Sequence, residues 1–203
     1  MVVLGSFHPR PSDPLPSPAR TTVLVGNAGP AMWEAFAKTR LDEPEPLDAW
    51  TRRVLEKAAA SLETTVFFPF GGPPHLPFQA WGLRAGGVFQ SPIGMLIHPR
   101  YGLWFAYRGA LVFEAEWDIA GLQADAASPC RACADKPCLE TCPVGAFKTS
   151  GYDVATCLDH LDRPGGADCR DLGCRARRAC PVGRDYIYAP AQAAFHMAAL
   201  SPY

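Results

Sequence analysis

The sequence predicts an α+β fold: a mixed α/β domain with helices packed on a sheet, followed by a small cysteine-rich domain. Three observations carry this. Apolar residues in the first 125 positions alternate in places with period two and elsewhere recur every three or four residues, so strands and helices are mixed. All eight cysteines fall between Cys130 and Cys180, which marks a composition step near residues 125 and 126. The chain has 203 residues, 48% hydrophobic and 19% charged, enough apolar material for one ordinary core and a small appended domain.

The elements follow in order. Thr21–Val25 is a β-branched run that predicts a strand. Gly26–Asn27–Ala28–Gly29 predicts a turn, and Pro30 suits the first position of a helix carrying Trp33, Phe36 and Ala37 on one face. Leu47, Trp50, Val54, Ala58 and Leu62 recur at helical spacing across residues 46–62, with Arg52, Arg53, Glu56 and Lys57 largely outside that stripe. Thr64–Phe68 reads as a strand, and Pro77–Ala85 as a short helix ended by Gly86 and Gly87. Ile93–His98 and Leu103–Phe113 read as strands joined by the turn Pro99–Gly102. In the second, Phe105, Tyr107, Leu111 and Phe113 alternate with Trp104, Ala106, Arg108, Ala110 and Val112; a strand apolar on both faces is expected between two layers. Pro190–Leu200 predicts a C-terminal helix. The expected domains are 1–125 and 126–203, with Ala126–Pro129 on the boundary.

A net charge of -1 argues against a nucleic-acid partner. The apolar N-terminal stretch Met1–Leu4 is too short for a signal peptide, and no window suits a membrane span. A cytoplasmic protein is expected. In a reducing compartment eight thiols point to metal rather than to disulfides.

The cysteines fall in two groups. The first is Cys130–x2–Cys133–x4–Cys138–x3–Cys142, and the second is Cys157–x11–Cys169–x4–Cys174–x5–Cys180. Each ends in one tetrapeptide, Cys142–Pro143–Val144–Gly145 and Cys180–Pro181–Val182–Gly183. This is a weak duplication, as expected of two half-sites. A [4Fe-4S] cube needs four thiolates, and a tight loop wraps three corners more easily than four. In two-cluster ferredoxins the cysteine before proline therefore ligates the other cluster. Carried onto this chain, that pattern implies one cluster on Cys130, Cys133, Cys138 and Cys180, and another on Cys157, Cys169, Cys174 and Cys142. The spacings are wider than is usual in ferredoxins. One cluster beside a degraded site and a structural zinc site stay open as alternatives. Arg170, Arg175, Arg177, Arg178 and Arg184 crowd the second motif. They would raise a cluster's potential, dock an acidic partner, or form a solvated loop.

Ser91–Phe105, then Tyr107–Phe113, then the cysteines, resembles the core of the epoxyqueuosine reductases, over roughly residues 75 to 185. The resemblance implies a nitroreductase-like domain that binds cobalamin and is fed electrons by a double [4Fe-4S] domain. A corrinoid or another flat cofactor on residues 1–125 follows as an expectation. The chain departs from that family at the region of its catalytic aspartate. Phe70–Trp81 contains no acid, and Gly87–Gly94 replaces the family's Gly-Trp-Ile-Gly-Lys stretch. The long C-terminal repeats that recognise tRNA have no counterpart in these residues.

Other features weigh less. Gly26–Gly29 before a helix could hold a phosphate, although a tight turn explains it equally. His75 and His98 are more simply packed or solvated than ligating, and His160 lies among cysteines that already number eight. Trp81, Trp104 and Tyr107 read as core. The expected function is electron transfer by two [4Fe-4S] clusters, with a redox protein or a small-molecule acceptor as partner. The alternatives are a corrinoid- or flavin-dependent reductase and a zinc-stapled interaction module.

Overall fold

The computed structural model describes residues 1–119 and 127–200. The step expected between residues 125 and 126 lies outside them. The chain divides into two compact units, Met1–Gly87 with Phe105–Ala126, and Val88–Trp104 with Ala127–Tyr203.

In the first unit the elements are β1 (Val2–Phe7), β2 (Thr21–Ala28), α1 (Ala31–Thr39), α2 (Pro46–Ser61), β3 (Thr65–Phe67) and α3 (Phe78–Ala85). Beyond β4 (Phe89–Gln90) and β5 (Leu96–Ile97), which belong to the second unit, comes β6 (Phe105–Phe113). The sheet order is β1-β2-β6-β3, with every pair antiparallel. Leu55 and Ala59 of α2 pack with Val23, Val25, Leu111 and Phe113 on one face. Phe78, Trp81 and Ala85 of α3 pack with Phe7, Leu24 and Ala110 on the other. The layered expectation for β6 is thus met.

Details differ from the sequence pattern for local physical reasons. The register of β2 against β6 shifts between Val25, opposite Gly109, and Gly26, opposite Tyr107. Arg108 is the extra residue of this β-bulge, and a bulge reverses the alternation of faces. Tyr107 therefore packs against the Trp81 cluster instead of sharing a face with Leu111 and Phe113. A side chain at Gly26 would collide with the Ala106 carbonyl, so the bulge requires glycine there. The strand β2 runs on through Ala28, and only Gly29 and Pro30 turn into α1. Asn27 is buried and accepts a hydrogen bond from Arg108 Nε at 3.1 Å, so Gly26–Ala28 is strand where a turn was expected. In α1 Met32 and Phe36 are buried and Ala37 is exposed. In α2 the buried line is Leu47, Trp50, Thr51, Leu55 and Ala59. Four-residue steps from Leu47 follow the side that meets the sheet, leaving Val54 and Ala58 half-buried and Leu62 past the helix end.

The second unit joins short pieces: β4 pairs with β5, α4 is Pro129–Ala132, α5 Pro137–Glu140, and β7 (Phe147–Lys148) pairs with β8 (Gly151–Tyr152). Then come α6 (Val154–Asp162), α7 (Ala167–Leu172), α8 (Arg175–Arg178) and α9 (Pro190–Ala198). The turn at Pro99–Gly102 is present, closed by a bridge between His98 and Gly102. The strands it was expected to join separate, however. Leu96–Ile97 pairs with Phe89–Gln90, because both edges of β6 are already occupied by β2 and β3. Val88–Trp104 also groups with the cysteines rather than with the cysteine-free residues around it. Ile93, Ile97 and Leu103 pack against Cys138, Ala176 and Cys180, and that apolar contact draws the segment in.

Candidate metal centre

All eight cysteines are free thiols. They are delivered by short helices and turns, each holding one or two. Cys130 sits in the single turn of α4, and Cys133 ends it. Pro137 opens α5 and places Cys138 at its second position. Cys157 is on α6, Cys169 on α7, and Cys174 precedes α8. Asp153 caps α6 by accepting the Thr156 amide at 3.0 Å.

The chain gathers these thiols around two cavities. The first is lined by Cys130, Cys133, Cys138 and Cys180, and the second by Cys142, Cys157, Cys169 and Cys174. Both are small and close-walled, about 20 Å³ each. The wall of the first is otherwise apolar, with Pro92, Ile97, Pro137 and Val182, and Lys136 as its charged member. The second adds Val144, Phe147, Leu161 and Met197, with His160 and Arg175 as polar members. Ala176, fully buried, packs with Cys138 and Cys180 and also lines the second cavity, so α8 forms wall to both.

The two Cys-Pro-Val-Gly segments are used alike. Cys180, Pro181 and Val182 line the first cavity, and Cys142, Pro143 and Val144 line the second. Each ends in a left-handed glycine, Gly145 at φ +57° and Gly183 at φ +73°. The backbone turns back so that an amide meets the sulfur: Ala146 N–H donates to Cys142 Sγ at 3.3 Å, and Val182 N–H donates to Cys180. Amides of Arg177 and Ala176 reach Cys174 in the same way.

Burial pushes the thiols of Cys130, Cys138, Cys174 and Cys180 above the ordinary cysteine range. Neighbouring sulfurs add to this: Cys180 and Cys133 act on Cys130, and Cys169 and Cys157 act on Cys174. Several thiolates crowded in one dry space repel one another, and a cation or cluster relieves that repulsion. The donor set therefore fits an iron–sulfur group: four thiolates per cavity, amides aimed at sulfur, and apolar walls. Among the described residues, no three His, Cys, Asp or Glu side chains form a group suited to a single metal ion.

The arginines near the second motif are mostly engaged within the unit. Arg177 donates to the Leu103 carbonyl and lies over the rings of Trp104 and Tyr188. Arg178 pairs with Asp168, and Arg170 donates to the carbonyls of Leu161 and Arg163. Arg184 is exposed. His98 is a turn residue: its Nδ1 accepts the amides of Arg100 at 3.0 Å and Tyr101 at 3.2 Å. Burial, with Arg100 adding, lowers its pKa. His75 is exposed. Trp81 and Trp104 are both buried. Tyr152 belongs to no sequence motif, yet its hydroxyl faces the Cys157 sulfur. Its ring stacks on Phe147 of the paired strand at 5.1 Å, a contact made by the β7–β8 hairpin and invisible as a motif.

No family model matches the chain, and no curated protein does. A solved structure does: that of epoxyqueuosine reductase from Streptococcus thermophilus, at 19% identity and a TM-score of 0.54, covering 86% of this chain. The fold is that of epoxyqueuosine reductase. The chain spans 53% of that protein, about half its length. Within the epoxyqueuosine reductase fold, the segment Phe70–Trp81 leads into α3 and supplies the core residues Phe78 and Trp81. The Trp81 indole donates to Asp13 at 3.1 Å, and that carboxylate is paired with Arg84.

Proposed function

We propose that this chain is an iron–sulfur electron-transfer protein that holds two [4Fe-4S] clusters. The observation that carries the reading is the division of eight cysteines into two cavities of four, with Cys142 and Cys180 each lining the cavity of the other motif. Cys130, Cys133, Cys138 and Cys180 would bind the first cluster, and Cys157, Cys169, Cys174 and Cys142 the second. Each cluster, when bound, supplies a one-electron redox couple. The chain's own residues orient the thiolates, offer amides to the sulfurs, and keep water away with Ile97, Val182, Leu161 and Met197.

Anaerobic reconstitution with iron and sulfide, then metal analysis and EPR of the dithionite-reduced protein, tests this. About eight irons per chain and a reduced-cluster signal are expected. Four irons point to a single cluster, and zinc alone refutes the reading.

A second reading has one specific support, the fold shared with epoxyqueuosine reductase. In it the chain is a corrinoid- or flavin-dependent reductase, and the clusters deliver electrons from a redox partner to that cofactor. A cavity in the first unit, about 410 Å³, is walled by His8, Arg10, Asp13, Arg20, Glu116 and a run of prolines. That polar rim does not suit a flat macrocycle, so the reading rests on the fold. Titration of cobalamin against the reconstituted protein tests the corrinoid form; corrin bands that do not move at high micromolar concentration remove it.

A further inference from the structure

The second four-cysteine cavity has His160 in its wall, and Tyr152, an exposed residue outside that wall, stands beside Cys157. His160 follows Cys157 by three residues on α6, which puts the two on one side of that helix. Its ring lines the cavity, and Nε2 is sealed from solvent without a hydrogen-bond partner among the described residues. A ring nitrogen buried without a partner is costly unless something else in the cavity receives it. Tyr152 approaches from another element. Its ring is held face to face with Phe147, interplanar angle 18°, and Phe147 is itself part of the cavity wall.

We propose that His160 and Tyr152 are positioning residues for a cluster in the second cavity, donating Nε2–H and O–H hydrogen bonds to its sulfur atoms and so setting its reduction potential. Donors to sulfur stabilise the more negative, reduced state, and both side chains would therefore raise that potential. The first cavity has a different set: the Ser128 hydroxyl meets Cys130, and Lys136 stands in the wall. The two centres are then adjusted by separate residues. The inference rests on reading the cavities as cluster sites.

The test is an EPR-monitored redox titration of the reconstituted full chain, with iron content measured for every variant. H160L and Y152F are each expected to lower the midpoint of one centre and leave the other in place. S128A should move the other centre. H160Q, which keeps a donor, should return the midpoint towards the wild-type value. Pulsed EPR of protein labelled with ¹⁵N-histidine should show a weak nitrogen coupling that H160L abolishes. Midpoints unchanged in both H160L and Y152F, at full iron content, would overturn the proposal. So would a strong nitrogen coupling, which makes His160 a ligand. If H160L loses iron, the H160Q and Y152F titrations and the labelled wild-type spectrum still decide the matter. A wild-type chain that takes up no iron instead defeats the proposed function itself.

Discussion

The Arg177 guanidinium lies 4.4 Å from the ring centroid of Trp104 and 4.5 Å from that of Tyr188, and its Nε donates to the Leu103 carbonyl at 3.0 Å. This places a planar cation against two buried aromatic rings that also touch each other edge-to-face, with centroids 5.3 Å apart. Arg177 sits on the one-turn helix between Cys174 and Cys180, so the clamp fixes the segment that serves both cavities.

The first prediction concerns that clamp. Arg177→Lys keeps the charge but loses the planar fork and the stacking, and should cost about 1–2 kcal/mol of stability. Arg177→Ala should cost more, because it also leaves the Leu103 carbonyl without its donor. Urea unfolding of the apo and reconstituted protein measures both, and faster iron loss should accompany the shift.

The wiring makes a sharper prediction. Cys142→Ser should reduce iron to about half of the roughly eight atoms that two clusters hold. Adding Cys157→Ser should remove little more, because both residues line the second cavity. Adding Cys130→Ser instead should remove nearly all the iron, because that residue lines the first. If Cys142 served the first motif's own cluster, these two outcomes would exchange.

Acid should act on the helix that carries Cys157. The Lys148 ammonium, 2.5 Å away, and the amide and hydroxyl of Thr156 hold the Asp153 carboxyl down at about 2. A carboxylate with a depressed folded pKa contributes stability above its unfolded value near 3.9, and loses it as pH falls towards the folded value. Helicity of α6 and retention of the second cluster should thus decline between about pH 4 and pH 2. Asp153→Asn, which keeps the capping oxygen, should flatten that dependence in circular dichroism and iron-release assays, whereas Asp153→Ala should weaken the cap at every pH.

Glycine geometry sets a fourth. Gly102, at φ +57°, and Gly183, at φ +73°, cross closely: a side chain at Gly102 would meet the Val182 carbonyl, and one at Gly183 the Tyr101 carbonyl. Gly183→Ala combines left-handed strain of about 1 kcal/mol with that clash. It should lower the thermal midpoint and displace the Cys180–Pro181 turn, visible as weaker cluster absorption. Gly165→Ala, where a side chain meets open space, is the control and should change neither.

By itself the sequence determined the elements whose signals are local. Alternation and β-branching marked β2, β3 and β6, and proline followed by helical spacing marked α2 and α9. Two Cys-Pro-Val-Gly endings marked related half-sites, and the ferredoxin pattern implied a crossed grouping of eight cysteines. What the local pattern lacks is information about partners. A bulge at Arg108 moved Tyr107 to the other face of the sheet, because one extra residue in a ladder reverses every side chain beyond it. Val88–Trp104 joined the cysteine unit because its isoleucines and Leu103 found apolar neighbours there, Cys138, Ala176 and Cys180, far along the chain. The edge strand β1, broken by Gly5, carried too little pattern to read. The arginines of the second motif left cluster tuning, partner docking and a solvated loop all open, and tertiary packing engages most of them with carbonyls, a carboxylate and aromatic rings. His160 reached the second cavity on a helix face, and Tyr152 came beside Phe147 of its wall through a hairpin, placements that sequence spacing does not display.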